Sequence, residues 1–93
     1  MQVDVTRSGG LIGLPLRGTL DTATLPAERA AAVDEALRGL PYGLPPAPPQ
    51  HPDSFRYEIT VIDHSGRRSA VLDEAQVPDE LRRILDDAIT AAS

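Results

Sequence analysis

Ninety-three residues with an apolar fraction of 41% make one domain, with a core large enough to fold alone but little to spare. The formal charge of −5 argues against sequence-independent nucleic-acid binding, which needs a basic face. With no cysteine, disulfide staples, thiolate metal sites and a thiol nucleophile are excluded.

The chain opens Met1-Gln2-Val3-Asp4, without a basic region followed by an apolar run, and no apolar run is long enough to span a membrane. A soluble, cytoplasmic protein is the expectation. Residues 2–7 read as a strand with Val3 and Val5 on one face and Asp4 and Thr6 on the other. Gly9-Gly10 interrupts it, and Leu14, Leu16 and Leu20 then resume a period of two up to Asp21. The pattern predicts a β-hairpin, with Pro15 placing the second run at an edge or a bulge.

Leu25-Pro26-Ala27-Glu28 opens a first helix, with Val33, Ala36, Leu37 and Leu40 as its inward stripe and Gly39 and Pro41 at its end. Residues 41–53 hold six of the nine prolines, so no regular element is expected there. From 55 to 62, Phe55, Tyr57, Ile59 and Val61 alternate with Arg56, Glu58 and Thr60 as a strand. Asp63-His64-Ser65-Gly66 is a turn, and residues 67–72 form a shorter fourth strand ending near Asp73. Val77-Pro78-Asp79-Glu80 repeats the first helix start, and Val77, Leu81, Ile84, Leu85, Ala88 and Ile89 carry helical spacing from there. The order ββαββα predicts an α+β fold: a four-stranded, mainly antiparallel sheet with both helices on one face. The two halves echo each other, as in an ancient duplication. If the first helix runs back alongside the hairpin, the glycine turn and the start of the proline segment share one end of the sheet.

Catalytic constellations are missing from the pattern. His51 and His64 lie in loops, off any helical i, i+4 pair that would ligate zinc. The serines form no Gly-x-Ser-x-Gly elbow, and Ser8-Gly9-Gly10 is not followed by a phosphate-binding helix. Asp73-Glu74 and Asp86-Asp87 are neighbours that point to different faces, so they read as solvated acidic surface. One arginine in each of Arg67-Arg68 and Arg82-Arg83 is expected to point outward beside neighbouring acids. No enzyme activity, metal or cofactor is expected, and neither nucleic acid nor membrane as partner.

Two segments suit protein contact. Leu44-Pro45-Pro46-Ala47-Pro48-Pro49 contains overlapping Pro-x-x-Pro, readable as a stiff connector or as the ligand of an SH3-like domain. Loop 7–14, Arg7-Ser8-Gly9-Gly10-Leu11-Ile12-Gly13-Leu14, places bulky aliphatics where a glycine turn is ordinarily polar. Leu11 and Ile12 either fold back to cap the core or form a probe for another protein's pocket.

The run Arg7-Ser8-Gly9-Gly10, then Leu20-Asp21-Thr22 with Leu25-Pro26, resembles the start of the emfourin family. Phe55-Arg56-Tyr57-Glu58-Ile59-Thr60-Val61, Arg67-Arg68 and Pro78-Asp79-Glu80-Leu81 follow in the same order. The resemblance implies a small cytoplasmic protein inhibitor of thermolysin-like (M4 family) zinc metallopeptidases that blocks the active-site cleft. Those enzymes favour a bulky apolar residue just after the scissile bond, which matches a loop presenting Leu11 and Ile12. On this reading Arg7, Ser8, Gly9, Gly10, Leu11, Ile12 and Gly13 bind the partner, the glycines shaping the loop. Ser8 or a backbone carbonyl would approach the enzyme's zinc, and Tyr42, Leu44 and Pro45 form a secondary contact. The proline-rich connection and the turn at Asp63 depart from the family pattern and would retune the target. An adaptor docking segment 41–53 on a partner domain is the alternative.

Overall fold

The computed structural model describes residues 1–10, 14–45, 48 and 53–92. Strand β1 (Gln2–Gly9) lies between β2 (Leu16–Asp21) and β3 (Phe55–Asp63), and β4 (Gly66–Asp73) flanks β3, so the order is β2-β1-β3-β4 with every neighbour antiparallel. Helix α1 (Ala27–Arg38) connects β2 to β3 and α2 (Asp79–Ala92) follows β4. This is the predicted ββαββα order, and the run after Pro15 takes the edge position expected of it.

Register explains which face is buried. Val3 opposes Val61, Val5 opposes Ile59, Tyr57 opposes Leu72 and Ile59 opposes Ala70, which puts all of these side chains on one side of the sheet. Val33 and Leu37 of α1 and Leu81, Ile84, Leu85 and Ile89 of α2 join them in one cluster, so both helices cover that side. Each large aliphatic buried this way contributes roughly 1.5–3 kcal/mol. The opposite side is polar. There Asp4 accepts hydrogen bonds from Thr19 Oγ1 (2.8 Å) and Gln2 Nε2 (3.1 Å), which hold its carboxyl below the usual carboxylate range.

Helix α2 lies against β2 at Gly18, where a Cβ would stand 2.6 Å from the backbone nitrogen of Ile89 and 2.7 Å from the carbonyl carbon of Ala88. Glycine is required here by space alone. The sequence pattern did not single it out.

The echo between halves runs deeper than the helix starts. Residues 21–28 and 73–80 both read Asp-x-Ala-x-apolar-Pro-x-Glu. In each, the aspartate at the strand's end accepts a 3.0 Å hydrogen bond from the alanine N–H (Asp21 from Ala23, Asp73 from Ala75) and caps a single 3-10 turn. Each turn closes through the apolar residue's N–H, Leu25 to Thr22 at 3.2 Å and Val77 to Glu74 at 3.3 Å. Pro26 and Pro78 then accept the first helical hydrogen bonds, from Ala30 (2.8 Å) and Arg82 (2.9 Å). Asp73 is therefore no surface acid. It is buried, and Gln76 Oε1 accepts its N–H at 3.0 Å, while Glu74 Oε1 accepts the Phe55 N–H at 3.2 Å. The halves differ in their hairpins. His64 and Ser65 alone separate β3 from β4, whereas six residues separate β1 from β2.

Candidate functional site: the tip of the first hairpin

The β1–β3 ladder ends where Gly9 pairs with Phe55. Gly9 and Gly10 have φ of 89° and 72°, in the left-handed region that only glycine enters freely. Both are also crowded: a Cβ on Gly9 would lie 2.7 Å from the Ser54 carbonyl oxygen, and one on Gly10 2.6 Å from Cε1 of Phe55. The Gly10 N–H donates to the Ser54 carbonyl at 3.4 Å. The chain thus turns off the ladder directly against the Phe55 ring.

That ring is braced from behind. The Arg7 guanidinium carbon sits 4.7 Å from its centroid, and Arg7 Nη1 donates to Asp86 Oδ1 of α2 at 3.0 Å. The Tyr57 hydroxyl donates to the same oxygen at 2.8 Å. Asp86, expected from the sequence to be solvated, instead ties β1 and β3 to α2. The Asp-Asp pair hid this, because only the register of α2 on the sheet turns one of the two inward.

Burial pushes the Tyr57 hydroxyl up to about 12, reinforced by its hydrogen bond to Asp86 and by that carboxylate's charge, with Arg7 opposing. Burial also raises Tyr42. The folded protein therefore holds the Tyr57 proton more tightly than the unfolded chain, whose hydroxyl titrates near its ordinary 10.0. This contribution to stability is complete below that value and is lost as pH rises through about 12. Thermal melts from pH 9 to about 12 should show Tm falling across this window. In Tyr57→Phe the fall should be shallower, and absorbance at 295 nm should lack the highest-pH step.

Around the glycines, Arg7, Gly9, Gly10, Leu14, Leu16, Asp53 and Phe55 line a depression of about 510 Å³. Leu14 is 66% and Leu16 40% exposed, so the returning limb of the loop presents apolar surface to solvent. Leu11, Ile12 and Gly13 lie outside the described residues. Arg7 and Ser8 take opposite sides of β1: Arg7 faces the helices, and strand alternation sends Ser8 toward the polar side with Asp4 and Thr6.

The secondary residues sit elsewhere. The Tyr42 hydroxyl donates to the Leu37 carbonyl, its ring lies 5.1 Å from the Arg68 guanidinium carbon, and the Gly43 N–H donates to Ser69 of β4 at 3.2 Å. Leu44 is 62% exposed, and Pro45 beside it is also exposed. The loop therefore meets the end of the proline segment, at Asp53 and Ser54, and not its start. The reason is topological. Helix α1 delivers the chain to the β4 edge, and the segment must cross back to begin β3 beside Gly9. Of the Pro-x-x-Pro run, Pro46, Ala47 and Pro49 lie outside the described residues, as does His51; His64 is exposed in its turn. Arg68, one of the paired arginines, reaches Asp63 at 3.4 Å.

Among the described residues, no group of three or more His, Cys, Asp or Glu is placed to hold a metal ion, and no helix is long and apolar enough to cross a membrane. The emfourin family model matches residues 5–88. The chain belongs to the emfourin family. Membership in this inhibitor family is consistent with a role in protease inhibition. No curated protein and no solved structure matches this emfourin significantly.

Proposed function

We propose that this emfourin is a non-catalytic, reversible inhibitor of thermolysin-like zinc metallopeptidases, acting in the cytoplasm and occupying the active-site cleft with loop 7–14. The observation that carries the reading is the pair of left-handed glycines, packed on Phe55, that launches an apolar loop from the end of the sheet. Six connecting residues here, against two in the corresponding second hairpin, mark the place where this chain departs from its own internal repeat. A launch point held by Phe55 reduces the ordering entropy that binding must overcome.

A standard interface takes roughly 800 Å² from each partner. The loop alone is too small for that, so Leu14, Leu16 and Asp53 are expected to meet the rim of the cleft while Leu11 and Ile12 enter it. Titrating a thermolysin-like peptidase with the purified protein, using a quenched peptide substrate, should abolish hydrolysis near one equivalent. Undiminished hydrolysis at micromolar inhibitor would overturn the proposal.

A further inference from the structure

We infer that Asp86, on α2, is a positioning residue for the Gly9-Gly10 turn from which loop 7–14 starts, acting through Arg7 and Phe55. This role rests on the reading of that loop as the inhibitory element. Four groups stand in series. Asp86 Oδ1 accepts from Arg7 Nη1 at 3.0 Å, the Arg7 guanidinium lies over the Phe55 ring at 4.7 Å, and that ring fills the space in which any Gly10 side chain would stand. Arg7 alone is a long, flexible side chain at the end of a strand, and its rotamer freedom is large. The carboxylate on α2 selects one rotamer, and a charge-assisted hydrogen bond to a side chain only 21% exposed is strong enough to keep it. With Arg7 fixed over the ring, Phe55 is held where its Cε1 borders Gly10. The direction in which the chain leaves the sheet is then set from the opposite layer of the fold.

This also explains why an arginine begins the loop yet faces the helices. Its charge is already engaged by Asp86, so its contribution to binding is made through the ring it holds. Tyr57 shares the same carboxylate oxygen and keeps Asp86 turned toward the sheet.

The test compares Asp86→Ala with Val33→Ala, a cavity substitution at a buried position of α1 that lowers stability without touching the tip. Two readouts are taken at a temperature where both variants are folded: the inhibition constant against a thermolysin-like peptidase, and the NMR shift of the Gly10 α-protons. The Phe55 ring borders Gly10, so its ring current should displace those resonances. Asp86→Ala should move the Gly10 resonances toward random-coil values and raise the inhibition constant about tenfold. Val33→Ala should change neither, and Asp86→Asn, which keeps an acceptor oxygen, should restore part of both. Unmoved Gly10 resonances in Asp86→Ala would overturn the inference whatever the inhibition data show. Equal losses in Val33→Ala would reduce Asp86 to a stabilising contact and overturn it as well. Should the parent protein fail to inhibit any such peptidase, the functional reading falls, and the NMR comparison still decides the role of Asp86.

Discussion

Leu11→Asp and Ile12→Asp should each raise the inhibition constant against a thermolysin-like peptidase by on the order of a hundredfold, with Tm unchanged. Hot-spot side chains in a water-excluded pocket contribute about 2–4 kcal/mol, and each 1.4 kcal/mol is tenfold in affinity. A carboxylate in the same pocket adds a desolvation cost, so Asp is more damaging than Ala. Gly9 and Gly10 bend the chain away from the ladder, and on the returning side Leu14 and Leu16 face solvent. Among the described residues, the buried core is drawn from the strands, the helices and two positions close to them, Leu40 and Val77. A drop in Tm with an unchanged inhibition constant would make Leu11 and Ile12 a cap on the core instead. Melting and inhibition measured on the same two variants separate the outcomes.

Gly18→Ala should lower stability by about 3 kcal/mol, which for a domain of this size is on the order of 15 °C in Tm. The added methyl would meet the α2 backbone at 2.6 and 2.7 Å. Backbone atoms cannot rotate aside as a flexible side chain can, so the whole helix must lift from β2. Lifting α2 loosens Leu85 and Ile89 in the core and draws Asp86 from Arg7. The same variant should therefore show a higher inhibition constant even well below its Tm. Calorimetry and a chemical denaturation curve check the first expectation, and an unaltered Tm would show that α2 is not seated on Gly18.

Several features could be read from residues alone because they depend on neighbours in the chain. Strand alternation at Val3 and Val5, or at Phe55, Tyr57, Ile59 and Val61, reports a two-residue period whatever the partner strand. Proline and acid at the helix starts report unsatisfied N–H groups in the first turn. The glycines of the loop were visible for the same local reason, since left-handed backbone favours glycine. What escaped was everything dependent on pairing at a distance. Gly18 resembled an ordinary strand glycine until α2 was laid across it. Asp86 and Asp73 resembled surface acids until register turned the first toward Arg7 and Tyr57 and the second onto Ala75.

The amino-acid order thus determined the elements, their sequence ββαββα, the emfourin resemblance and the place where the loop leaves the sheet. Tertiary structure decided which end of the proline segment borders that loop, which acid braces Arg7, and why Gly18 admits no side chain. The division follows the range of the forces. Backbone preference and side-chain alternation act over a few residues and leave a periodic trace in the chain. Charge pairing and close packing act through space, between residues as far apart as Arg7 and Asp86, and leave no periodic trace at all.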